Sequence, residues 1–131
     1  MARIESLPES RHQVYLARAK DFAGQMDLAA SSHAWNSVGL LAVHTVISAC
    51  DALTIERSGQ RWSGQDHAGV LEVVRSLELS DSPRTLRQIS DVLSIKSRVE
   101  YEAREFTEVE AEAVRVKAAR LLAWVVARLP P

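Results

Sequence analysis

Cysteine is almost absent from this 131-residue chain. Cys50 stands alone, which excludes an internal disulfide framework and the usual four-ligand thiolate zinc site. A large charge of either sign is missing as well. The net charge is -1 and the pI about 6.4, so no global basic field draws the chain towards nucleic acid, and only a local basic patch could do so. No Gly-rich phosphate loop, zinc spacing, EF-hand or carboxylate dyad is present. Residues 1–8 lack the apolar stretch of a signal peptide, and no window approaches the ~20 apolar residues of a membrane span. These absences lead to the expectation of a soluble cytoplasmic protein with no membrane, metal or cofactor. Strand signals, internal repeats and low-complexity segments are missing too.

What is there is a globular composition, 47% hydrophobic and 25% charged, in one domain spanning residues 1–131 and long enough to bury a core unaided. The apolar period is helical nearly throughout. Ser6-Leu7-Pro8 starts a first helix over about 9–30, with Val14, Leu16, Ala19, Phe22, Ala23 and Met26 turned inward. Ser31-Ser32 breaks it. A second helix, about 34–57, is apolar on most sides and therefore central, and Cys50 within it reads as a small buried hydrophobe. Gly59 suits the left-handed position that ends it.

A shorter third helix opens on Asp66 as its cap, and Ser80-Asp81-Ser82-Pro83 opens a fourth, with Leu86, Ile89, Val92, Leu93 and Val99 inward. The last helix starts at Thr107, whose partner Glu110 completes a capping box. Val109, Ala113, Val116, Leu121, Trp124 and Val125 are expected to line it. The fold class is all-α, an up-and-down bundle of four to five helices.

Three stretches, taken in order, resemble the HEPN superfamily (higher eukaryotes and prokaryotes nucleotide-binding domain) over about residues 10–129. The run Ala42-Val43-His44-Thr45-Val46-Ile47-Ser48-Ala49-Cys50-Asp51-Ala52-Leu53 is similar to that family's Ala-rich second helix. Asp66-His67-Ala68-Gly69-Val70 is similar to the start of its third. Lys96-Ser97-Arg98-Val99-Glu100-Tyr101, followed by Thr107-Glu108-Val109-Glu110-Ala111, is similar to its ending, in the variant without the nuclease histidine. Many members of that variant are encoded beside small nucleotidyltransferases. The resemblance implies a HEPN-like bundle that forms a homodimer, with functional residues in a cleft between subunits. It also implies involvement with RNA, nucleotides, toxin–antitoxin pairs or a nucleotidyltransferase partner.

Nucleolytic members cut RNA without metal by means of an Arg-Asn-x-x-x-His motif, in which Arg holds phosphate and His moves protons. Here Lys96 stands at the Arg position, Ser97 at the Asn position and Tyr101 at the His position. Lysine keeps a point charge without the bidentate fork, and a tyrosine with an ordinary pKa of about 10 is a poor proton shuttle at neutral pH. Lys96 and Glu100 share a helical face beside Tyr101, so the segment reads either as an ion pair with a packed Tyr or as a polar cleft. The resemblance adds that Tyr101 could accept a nucleotidyl group.

Arg61 and His67 satisfy the loose Arg…His nuclease spacing, although they bracket a loop before the third helix. His44, Ser48 and Asp51 recur along one face of the apolar second helix, as an internal network or as a cleft wall opposite Lys96 and Tyr101. His12 and His33, near helix ends, are read as solvated. The expectation is a non-catalytic HEPN-type binding or regulatory module. The alternative is a metal-independent, toxin-like ribonuclease with a degenerate site at Lys96/Tyr101 or Arg61/His67.

Overall fold

The computed structural model describes residues 3–64, 66, 68–79 and 82–131. Five helices carry the fold: α1 (His12–Ser31), α2 (Trp35–Ser58), α3 (Ala68–Ser76), α4 (Ser82–Tyr101) and α5 (Glu108–Arg128). A 3-10 turn, Glu9–Arg11, leads into α1. The expected absence of strands does not hold. Two short strands, β1 (Ile4–Ser6) and β2 (Gln60–Trp62), pair antiparallel with Ile4 opposite Trp62. Three-residue strands leave too short a pattern to detect in the sequence.

α2 is central because it is apolar on nearly every side; Val38, Ala42, Val43, Val46, Ala49, Leu53 and Ile55 are all buried. Contrary to the sequence expectation, it is long and apolar enough to cross a bilayer, but 78% of its most apolar window is buried inside the bundle. Packing against neighbouring helices accounts for that hydrophobicity. α1 and α5 flank it, and α4 packs against both α5 and α2. Arg57 Nη2 donates to the Arg128 carbonyl at 3.0 Å, so α2 and α5 end together and run parallel. α1 and α4 return antiparallel beside them.

The chain ends of these helices follow local chemistry. Gly59 ends α2 with φ of 68°, and its N–H donates to the Ile55 carbonyl. The Asp66 carboxylate accepts from the Ala68 N–H at 3.0 Å at the head of α3. The expected fourth-helix cap at Ser80 and Asp81 lies outside the described residues. Thr107 and Glu110 form the complete capping box at α5. That corner is pinned to α2 in two ways. The Phe106 N–H donates to Asn36 Oδ1 at 2.8 Å, and the Phe106 ring lies so close to Gly39 that a Cβ there would meet it at 2.4 Å.

Four inward assignments are corrected. Val109 (79% exposed), Ala113 and Val116 point outward on α5, because its core face is Ala111, Val114, Ala118, Leu121 and Val125. Val14 on α1 is also exposed. His12 is buried, not solvated: its Nδ1 lies 2.7 Å from the Glu9 carbonyl, which the 3-10 turn brings over it.

Candidate functional site

The segment Lys96–Tyr101 forms the last turns of α4. Val99 is its anchor, buried against the bundle, and the helix ends where Ala103 turns left-handed with φ of 50°. The N–H groups of Glu102, Ala103 and Arg104 close that end on the Arg98, Glu100 and Val99 carbonyls. Lys96 Nζ lies 2.7 Å from Glu100 Oε1, the i,i+4 ion pair that the spacing allows. Ser97 Oγ donates back to the Leu93 carbonyl at 3.3 Å and borders a shallow cavity of about 340 Å³ with Asp66, Leu71, Ser90 and Ser94. Tyr101 is 92% exposed. The segment therefore presents a neutralised lysine and an exposed phenol to solvent, and no histidine among the described residues contacts them.

Arg61 has a different environment. Its Nε donates to Asp51 Oδ2 at 3.2 Å and its Nη1 to Glu5 Oε2 at 2.8 Å. The guanidinium also lies over the Tyr15 ring, 5.1 Å from the centroid, while Arg18 covers the same ring at 4.9 Å. Register explains the contact with Glu5, since β1 places it directly opposite Arg61 on β2. Burial drives the Asp51 carboxyl up to about 6, and the Arg61 guanidinium only partly offsets that. An arginine committed to two carboxylates is poorly placed to receive a phosphate. Its partner in the spacing argument, His67, lies outside the described residues.

The stripe on α2 divides. Asp51 and Ser48 are buried, but His44 is exposed and tilts against Phe22, with ring centroids 5.6 Å apart. Asp51 takes its partner from β2 and not from His44. No hydrogen bond or ion pair among the described residues joins His44, Ser48 or Asp51 to Lys96, Glu100 or Tyr101. Glu5 and Tyr15, which complete the Arg61 cluster, escaped the sequence reading because only strand pairing brings Glu5 across. Cys50 sits beside Asp51, and burial pushes its thiol far up.

Another concave site lies at the α4–α5 corner, a cavity of about 370 Å³ lined by His33, Trp35, Asn36, Ser37, Glu105 and Phe106. His33 and Trp35 stack there, 5.3 Å apart at 12°. Arg104 braces the corner by a two-pronged pair with Glu110, both bonds 2.8 Å, which holds the Glu110 carboxyl down to about 2. Among the described residues no three His, Cys, Asp or Glu side chains gather as a metal site would require.

These features define a mostly helical bundle with a polar helix end and an internal arginine cluster. Comparison with family models, with curated proteins and with solved structures gave no match to this chain.

Proposed function

We propose that this chain is a non-catalytic binding or regulatory module of HEPN type, working as a homodimer, with the end of α4 as its presented surface. The observation that carries this reading is Tyr101, 92% exposed where the nucleolytic motif would put a histidine, beside a lysine already paired with Glu100. That pairing favours contact over catalysis. The commitment of Arg61 to Asp51 and Glu5 argues against the ribonuclease alternative at the second candidate pair. A second copy is favoured by α5, which is apolar on both faces. Beyond its core face, Val109, Val116 and Val126 are exposed, and the outer side holds a groove of about 540 Å³ between Glu108/Glu112 and Lys117/Arg120.

The test pairs light scattering on a sizing column with incubation against a mixed RNA pool. A dimer that leaves the RNA intact is the expected result. Cleavage that disappears in Lys96→Ala or Arg61→Ala would replace the module with an enzyme. The exposure of Tyr101 also favours a second reading, in which a partner nucleotidyltransferase modifies that hydroxyl. A nucleotidyl mass increment on the wild type, absent from Tyr101→Phe, is its signature.

A further inference from the structure

We propose that the outward face of α4 is a docking strip for single-stranded nucleic acid, gripping backbone phosphates with Arg84, Arg87 and Arg98 and stacking a base on Tyr101. The inference rests on reading the end of α4 as a binding surface, and it extends that surface along the whole helix. Arg84, Arg87, Asp91, Ser94, Arg98 and Tyr101 follow one another at alternating steps of three and four, so they share one face. All six are exposed, while Thr85, Ile89, Val92 and Val99 bury the opposite side. At about 1.5 Å per residue the strip is about 25 Å long.

Charge singles it out. The acids around it are already neutralised: Asp91 by Lys117 at 3.2 Å, Glu100 by Lys96 at 2.7 Å and Glu102 by Arg104 at 2.5 Å. Arg84, Arg87 and Arg98 make no ion pair with any described residue, so among those residues three guanidinium groups on one face lack a partner, on a chain whose net charge is -1. Concave ground flanks them. Arg84, Arg87, Gln88, Asp91 and Lys117 line a cavity of about 370 Å³, and Arg87 also borders a second of about 580 Å³ with Arg75 and Ser90.

The chemistry selects the ligand. Guanidinium forks match phosphate oxygens bidentately, and serine hydroxyls can add neutral donors. Among the six residues of the strip itself only Tyr101 is apolar; Leu71, Pro83 and Leu86 line the cavity beside Arg87, off the charged row. An exposed aromatic at the end of a basic track suits unpaired bases, whose faces are free to stack; a duplex hides them.

The experiment is fluorescence anisotropy of the full chain with labelled oligouridine and oligothymidine, titrated across salt. Three phosphates at about 0.7 counterions each give an expected slope of log K against log salt near -2. The double variant Arg87→Glu/Arg98→Glu should weaken binding at least roughly tenfold and flatten that slope. Tyr101→Ala should weaken it roughly fivefold or more while leaving the slope unchanged. Arg11→Glu, a charge reversal at an exposed site in the 3-10 turn, serves as the control and should bind as wild type. Preference for oligouridine would name RNA as the ligand, and equal binding would name single strands of either kind. Absence of binding to both at low salt overturns the strip, as does binding that ignores the α4 substitutions. Either failure leaves the dimer and the lack of RNA cleavage to stand or fall on their own measurements.

Discussion

The protein holds arginines in two opposite ways. At the β1–β2 pair Arg61 is enclosed, with a carboxylate on either side and an aromatic ring against it. On α4 Arg84, Arg87 and Arg98 are exposed and pair with no acid among the described residues. The same side chain thus ties distant segments together at one place and offers unspent charge at another. What separates them is the acid supply. Near Arg61 two acids are added, one of them buried; along α4 each acid has been claimed by another cation.

This contrast can be broken from either end. Arg61→Ala should destabilise most, by about 2 kcal/mol at pH 7 in a urea titration. The loss stays below that of a fully trapped charge because the abandoned Asp51 can escape by taking up a proton. Asp51→Asn should act in the other direction. With the folded carboxyl near 6 and its ordinary value near 4, the folded state binds a proton that the unfolded chain does not between those limits. Glu110, held low by Arg104, works in the opposite sense over the same range and is common to both proteins. Relative to the Asn variant the wild type should therefore lose stability, on the order of 2 kcal/mol, as pH rises from 4 to 6. A wild type that gains on the Asn variant over that window would show that Arg61 outweighs burial.

Smaller effects sharpen the α4 side. Thr107→Ala, which removes the capping box at the corner, should cost about 1 kcal/mol in thermal or urea unfolding. Lys96→Ala should cost only about 0.3–0.5 kcal/mol, the worth of an exposed i,i+4 pair. Arg87→Glu/Arg98→Glu should change stability least, within about 0.5 kcal/mol, because nothing in the fold depends on those side chains. Comparable losses at Arg61 and at Arg87/Arg98 would erase the distinction.

The legible part of this chain was its helices. Caps at Thr107 and Asp66, the left-handed Gly59 and the apolar period of α2 and α4 are local signals, and each stands where the sequence put it. What escaped was set by long-range packing. α5 carries valine and alanine all round, so periodicity alone could not say that Leu121 and Val125 face the core while Val109 and Val116 do not. The Arg61 cluster depends on a strand too short to announce itself. Of the candidate site, the Lys96–Glu100 pair followed from spacing. The division of His44 from Asp51 did not, because Arg61 from the distant β2 covers Asp51, while His44, about two turns earlier, stays exposed beside Phe22. The three unpaired α4 arginines had a faint signal, a three-four alternation of polar residues opposite the buried face.

Cys50 gives this bundle a built-in clock. It is the sole thiol, fully enclosed in the middle of α2, and burial holds it in its unreactive protonated form. A thiol reagent can reach it only while the helices around it have parted. Its labelling rate therefore times how often the centre of the molecule opens, with no engineered reporter and no background from a second cysteine.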